Sequence, residues 1–482
     1  MRWLIPATMV LLAAAPRGAS ANSHTPSEVL SDLETAYQGL KKAHYDLYAN
    51  ATRAELDEAF EQSKSRLQRR ADPLSTLEAT VFLQKFIAHA NTAHARVDMP
   101  VPQFMEFLRG GGKLWPFEVR VDQGRLWVSD SLDGYAGLAE GDEIVQVNGE
   151  KVGRWLERLV QHISAENRGL AESILTRSFR LQTWIEHPDV ESFELTVRRD
   201  ERELTYAAAT LSGEEIEARR AAQGAKKTRA EREARLLPGG VAYLRTGAFY
   251  NVESPEHLED THDFIGFVDS AFELFSSSEA RALIVDLRSN PGGDSSFSDP
   301  LIAYFADRPF RFYSSFRVRS SAEAEASNQA RLERSSETQS VSHTYAEHFA
   351  KVPHGETFEL ELPMGAPQSS GRFGGPVFVL INRESYSNAV SVAALVQDYG
   401  FATVVGEPTT DLATTYGAME HFTLPATGLR VGFPKALIVR PNGDERPAGV
   451  VPDVVLQNGE GSEDLQLERA RTLALEAAAS GS

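Results

Sequence analysis

Residues 376–400 read "PVFVLINRESYSNAVSVAALVQDYG". Val377 to Ile381 is a continuous apolar run of strand length, as expected for a strand buried on both faces. "AVSVAALVQDYG" then spaces apolar residues at three and four and closes on a glycine, which predicts a helix. Three serines, Ser385, Ser387 and Ser391, stand at or near the junction. Ser385 or Ser387 could be an ordinary helix N-cap. The same geometry could instead hold a hydroxyl over free backbone N–H groups, where an oxyanion is stabilised. This stretch alone leaves both readings open.

Upstream, "ALIVDLRSNPGGD" (282–294) repeats the pattern of a buried strand ending in a turn. Gly292 and Gly293 could bring N–H groups close to a ligand with no side chain in the way, although a plain strand-ending turn reads the same. From Gly240 the texture is α/β, through "VAYLRTGAF" and the helical "DFIGFVDSAFELF". Residues 306–375 interrupt it with polar, Ser- and Glu-rich sequence, read as an insertion or lid, and the pattern resumes from Pro376 to "GVVPDVVLQ".

The N-terminal region, Thr25 to about Phe107, carries helical spacing, with Ser27 and Thr52 as candidate caps. After Gly110–Gly112 short strands take over, with a hairpin signal at Asn148-Gly149 and a helical stretch over 152–184. "GEEIEARRAAQGAKKTRAERE" lacks a wide apolar face and reads as a solvated linker or surface helix. The organisation expected is a signal peptide at 1–21, a helical N-terminal unit at 25–110, and a β-rich module with a helical insertion at 113–211. A charged linker at 212–238, an α/β core at 239–460 and a frayed tail at 461–482 complete it.

The chain has 482 residues with 42% hydrophobic content, enough for two or three domains. "MRWLIPATMVLLAAAPRGASANS" has an early positive charge, an apolar stretch and the small-residue site Ala19-Ser20-Ala21, so it reads as a leader cut before Asn22. Periplasmic or secreted localisation follows as an expectation. No later segment is apolar for long enough to span a bilayer. With no cysteine in the chain there is no disulfide, thiol nucleophile or lipid-bearing cysteine. The formal charge of −19 disfavours nucleic acid as a partner. His89/His94, His257/His262 and His343/His348 are spaced by five rather than four and no "HExxH" occurs, so neither a metal nor another cofactor is expected.

"VDLRSNPGG" (285–293), then "NRESYSNAVSVAALVQDYGFATVVGEPT" (382–409), then "GVVPD" (449–453), resembles the C-terminal-processing (tail-specific) and tricorn-type serine peptidases. "DGYAGLAEGDEIVQVNGEKV" looks like the PDZ module of these enzymes. "LKKAHYDLY" and "NTAHARV" resemble the N-terminal part of the bacterial tricorn-like branch. The resemblance implies a multidomain α/β chain: a helical N-terminal unit, a PDZ-like β-rich module and a core with the ββα spiral shared with Clp protease and crotonase. It also implies a serine endopeptidase acting on a peptide or protein, one that the PDZ-like module could recognise by its C-terminus near "LWPF".

Carried over residue by residue, the nucleophile is Ser387, the oxyanion donors are the amides of Gly292 or Gly293 and of Asn388, the base is His94 and its orienting acid is Glu445. The Ser-Lys members place their lysine where this chain has Leu412, which cannot take a proton. The nearest alternative lysine is Lys435. Ala93 and Val390 are further departures from the branch's motifs. A histidine base would lose activity below about pH 6 to 7. The second reading is an inactive homologue serving as a peptide-binding scaffold. An α/β-hydrolase esterase is disfavoured by the lack of a "GxSxG" elbow. The substrate and oligomeric state stay open.

Overall fold

The computed structural model describes residues 23–223, 232–254, 257–334, 340–457 and 464–480, so the leader assigned to 1–21 lies outside the described residues. Its central sheet has six strands in the order Glu233–Leu237, Val241–Arg245, Ala282–Asp286, Val377–Ile381, Thr403–Gly406, Val454–Val455. The first pair is antiparallel and the rest are parallel. Successive strand residues point to opposite faces, and both faces are covered. Leu283, Val285, Val379 and Ile381 pack with Phe264, Phe272, Leu301 and Leu395 of the helices on one side. Ile284, Phe378 and Leu380 pack with Ala470 and Ala474 on the other. Burial on both faces is why these strands read as unbroken apolar runs.

The covering helix on the second face is Leu465–Ser480, which corrects the expectation of a frayed tail. Its alanines let it approach the sheet closely. The fully buried Arg288 ties it down by donating to Asp286, Asp464 and Gln466. The stretch read as a linker is also structured where it is described. Gly213–Ala222 is a helix capped by Ser212 and Glu215, and Glu233–Leu237 is the antiparallel edge strand.

A second sheet runs in the order Thr357–Glu359, Ser315–Arg319, Arg430–Val439, Thr415–Thr423, and Arg96–Val97 also pairs with Arg430–Val439. Val29, Leu33 and Phe86 from the N-terminal helices share one core with Phe316 and Val318 of residues 306–375 and with Phe433. The N-terminal unit and the insertion are therefore parts of a single packed body. Three capping boxes start the helices Pro26–Ala43, Arg53–Arg69 and Thr76–Ile87: Thr25 with Glu28, Thr52 with Glu55 and Ser75 with Glu78. The first cap is Thr25 rather than Ser27, because Pro26, with no N–H to satisfy, already occupies the first helical position.

Residues 113–211 form an antiparallel sheet in the order Arg202–Ala209, Ser192–Arg199, Glu143–Val147, Arg125–Asp130, Glu118–Asp122. Asn148 and Gly149 both adopt positive φ (50° and 75°), as a two-residue hairpin turn requires. The helix Arg168–Glu186 lies along the Glu118–Asp122 edge. Thr176 accepts the Val121 N–H, and Glu172 accepts those of Gln123 and Gly124. Trp115 and Phe117 of "LWPF" are core residues, packed with Trp155, Phe179 and Phe193. No described helix is long and apolar enough to cross a membrane.

Candidate active site

The parallel register Asp286↔Leu380 brings the ends of two central strands together, and the turns that follow them form the site. Ser387 has φ 53° and ψ −122°. A non-glycine residue held there stores strain of about 1–3 kcal/mol and must be locked by its surroundings. The Tyr386 N–H donates to the Asn290 carbonyl (3.0 Å), the Ser387 N–H to the Asp411 carboxylate, and the Val390 N–H to the Ser387 carbonyl (2.8 Å). Ser387 immediately precedes the helix Asn388–Tyr399, but its side chain makes no capping bond. Ser385 is buried, donates to the Leu287 carbonyl (2.8 Å) and accepts the Asn382 N–H (3.1 Å). Ser391 lies within the helix. Of the three serines, Ser387 alone combines a strained backbone with a hydroxyl that is not engaged in holding structure.

The glycine turn abuts this serine. Gly292 has φ 83°, and a Cβ on it would sit 2.7 Å from the Ser387 Cβ and 2.9 Å from the Asn388 nitrogen. Its own N–H is taken by the Asn290 side chain (2.8 Å), which removes Gly292 as an oxyanion donor. Gly293 is exposed, and its N–H has no acceptor among the described residues. The flanking bonds Phe249 N–H to Gly292 carbonyl (2.9 Å) and Asp294 N–H to Phe249 carbonyl (2.8 Å) fix its peptide. The Asn388 N–H opens its helix and has no intrahelical partner. Gly293 and Asn388 are thus the available donors.

His94 belongs to a short loop between the left-handed Asn91 and the Arg96–Val97 strand, which anchors it to the second sheet. Its ring stacks at 6.1 Å and 19° on Tyr386, the residue before Ser387. Its Nδ1 is buried without a hydrogen-bond partner. Burial, and then the charge of Arg96, push its pKa down to about 4, against a hydrogen bond with the Tyr416 backbone. The ring is therefore a neutral base well below the ordinary imidazole value. No direct hydrogen bond joins it to Ser387.

Glu445 is not on the imidazole. It is exposed and accepts from Arg317 Nη2 at 2.7 Å. It lies only in the neighbourhood of Tyr45, which packs at 5.9 Å on Tyr416, whose backbone meets His94. Lys435 is spoken for, buried in an ion pair with Glu420 and lying 3.8 Å over the Tyr345 ring. Burial pushes its pKa down, but Glu420 also binds Arg331, so this is a structural charge cluster rather than a base.

Two carboxyl groups at the site were missed in the sequence. Asp411 is 2% exposed and accepts the N–H groups of both Ser387 and Leu412. Burial pushes its pKa up to about 6 despite those bonds. Glu166 accepts the Ala93 N–H at 3.2 Å, and burial, then the charge of Asp411, push it up to about 8. Arg177 completes the cluster, donating to the Glu384 carbonyl (2.9 Å) with its guanidinium 4.7 Å from the Tyr386 ring centroid. Asp411 had a sequence signal, since it stands next to Leu412, where the Ser-Lys members carry their base. Glu166 had none, because the helical insertion of another module delivers it. Among the described residues no group of three His, Asp or Glu side chains is arranged to hold a metal ion.

Residues 240–456 match the profile of Peptidase family S41. The fold is similar to that of mature CPAF complexed with lactacystin, at TM-score 0.64 and 18% identity over 94% of this chain and 97% of that one. It is likewise similar to mature CPAF alone, at TM-score 0.62 and 17% identity over 94% and 96%. The photosystem II D1 C-terminal processing protease is matched at TM-score 0.46 and 16% identity over 93% and 97%.

Proposed function

We propose that this chain, a serine-type peptidase of family S41 and of C-terminal-processing and tricorn type, cleaves its peptide or protein substrates through an acyl-enzyme on Ser387. As Ser387 Oγ bonds to the scissile carbonyl carbon, His94 takes the hydroxyl proton. The N–H groups of Gly293 and Asn388 receive the developing oxyanion, each such donor being worth about 3 kcal/mol of barrier. Collapse of this intermediate breaks the C–N bond, and the leaving amine takes the proton from His94. Water, deprotonated by the same ring, then releases the acyl group. Glu445 acts at one remove, as a charge in the neighbourhood of Tyr45 and not on the imidazole.

The observation that carries this reading is the strained, uncapped Ser387 at a helix start, with Gly292 packed against its Cβ. An inactive scaffold would have no need to maintain that strain. The test is hydrolysis of an unstructured peptide by purified protein and by His94→Ala. We expect turnover in the first and a loss of about 10⁴-fold in the second, and equal turnover would remove His94 as base.

Two finer points belong to the same proposal. The amides of Val121, Gln123 and Gly124 are already bonded, so recognition of a substrate C-terminus by the 113–211 module is assigned to Arg202–Ala209, the outer strand paired on one side only. If amidated and free-acid peptides bind equally, the carboxylate is not read. The enzyme is also proposed to be exported, a reading that fails if the mature chain does not start at Asn22.

A further inference from the structure

The nucleophile turn contains more N–H groups than an oxyanion site uses, and the structure disposes of each differently. Tyr386 donates to Asn290, Ala389 to Tyr386 and Gly292 to the Asn290 side chain. The Ser387 N–H, beside the reacting hydroxyl, points to a buried carboxylate from a loop that follows in sequence by 24 residues. That carboxylate, Asp411, uses its other oxygen to accept the Leu412 N–H at 2.9 Å. The loop itself is fixed: Thr409 Oγ1 donates to the Asp411 carbonyl (2.9 Å), and Thr410 Oγ1 donates to the Arg383 carbonyl (2.7 Å). Asp411 is thus a rigid, doubly bonded post against a residue whose φ and ψ are otherwise unfavourable.

We propose that Asp411 is a positioning residue of the peptidase: its carboxylate holds the Ser387 peptide in the left-handed turn and keeps the Ser387 N–H out of the oxyanion site. This rests on the reading of Ser387 as nucleophile. A charge-assisted bond to a backbone N–H is among the stronger hydrogen bonds available, and buried carboxylates persist only when so satisfied. The Ser-Lys members carry their base one residue further on. Here that residue is Leu412, which cannot accept a proton, and the loop's contact with the nucleophile turn is the backbone clamp from Asp411.

The test compares wild type with Asp411→Asn, which keeps the volume but offers one acceptor atom where two N–H groups need one each. A fluorophosphonate probe gives both the rate constant of labelling and the final labelled fraction. The expected result is a rate constant lower by about 10²-fold, the cost typical of a small displacement of a reacting group, with near-complete final labelling. On a peptide substrate kcat should fall by the same factor with KM within about twofold. A lower labelled fraction at an unchanged rate constant would mean that Asp411 only supports folding, and would overturn the role. So would wild-type kinetics in Asp411→Asn. If the wild type takes no label on Ser387, the peptidase reading fails and this one with it, whereas a labelled wild type isolates the fate of Asp411.

A second measurement needs no variant. The groups facing Asp411 are Glu166, Arg177, Tyr386 and the two N–H donors. When Asp411 takes up a proton, near pH 6, one of its oxygens becomes a donor facing another donor. Wild-type labelling should therefore fall as pH drops through about 6, before His94 is protonated near 4. A labelling rate constant that does not fall anywhere between pH 7 and the protonation of His94 near 4 would overturn the clamp.

Discussion

Gly292→Ala adds a single methyl group, and the structure specifies what it meets. The new Cβ would lie 2.6 Å from the Tyr386 carbonyl oxygen, 2.7 Å from the Ser387 Cβ and 2.9 Å from the Asn388 nitrogen, at a position with φ 83°. The left-handed backbone costs a non-glycine residue about 1–2 kcal/mol. Overpacking against three backbone-fixed atoms adds about 1–3 kcal/mol. The sum is relieved only if the Ser387 turn moves by several tenths of an ångström, and that movement displaces the nucleophile from its donors. Thermal unfolding and fluorophosphonate labelling, measured on the same preparation, separate the two costs. Gly428→Ala is the control, because its φ of 70° is comparable and nothing lies within 4 Å of an added Cβ. The control should lose about 1–2 kcal/mol and label at the wild-type rate. Gly292→Ala should lose more stability and label at least about 10²-fold more slowly. A Gly292→Ala protein that labels like the control would refute the claim that this glycine touches the reacting turn.

Lys435→Met leaves Glu420 buried with Arg331 as its remaining cation, so stability should drop by about 3 kcal/mol, while the folded fraction labels at nearly the wild-type rate; calorimetry and labelling check the two halves. Glu445→Gln removes a surface ion pair worth at most about 1 kcal/mol, so its melting temperature should barely move and kcat should decline by no more than about fivefold, far less than in His94→Ala. Because burial rather than a carboxylate partner governs His94, the acid limb in Asp411→Asn should lie near pH 4. A limb at the ordinary imidazole value would mean that solvent reaches the ring in the working enzyme.

The parts of this site that were legible in the sequence are those written locally. The run Val377–Ile381, the glycine pair 292–293 and the helix closed by Gly400 are short-range patterns, and the strand, turn and helix stand where the patterns put them. The choice of Ser387 over Ser385 came from a family resemblance, since spacing alone treats them alike. Its physical reason is visible only in three dimensions, where Ser385 is consumed by Leu287 and Asn382. Asp411 and Glu166 were invisible as a pair because their meeting depends on how the 113–211 module docks. The C-terminal helix was misread because its alanines, poor in apolar signal, are the small residues that a close helix–sheet contact needs. The assignment of Gly292 as a donor failed on one side chain: Asn290, two residues away, folds back onto its N–H. The pH limb expected near 6 to 7 took the imidazole at its ordinary value, whereas burial pushes His94 down to about 4.

The central claim is that Ser387 is the nucleophile, and the most direct measurement is peptide mapping of protein labelled by a fluorophosphonate probe, beside the Ser387→Ala variant. The account predicts one adduct, on Ser387, and no label and no peptide hydrolysis in a Ser387→Ala protein that still folds, since the replaced side chain makes no capping bond. An adduct on Ser385 or Ser391, or turnover retained in folded Ser387→Ala, would contradict it.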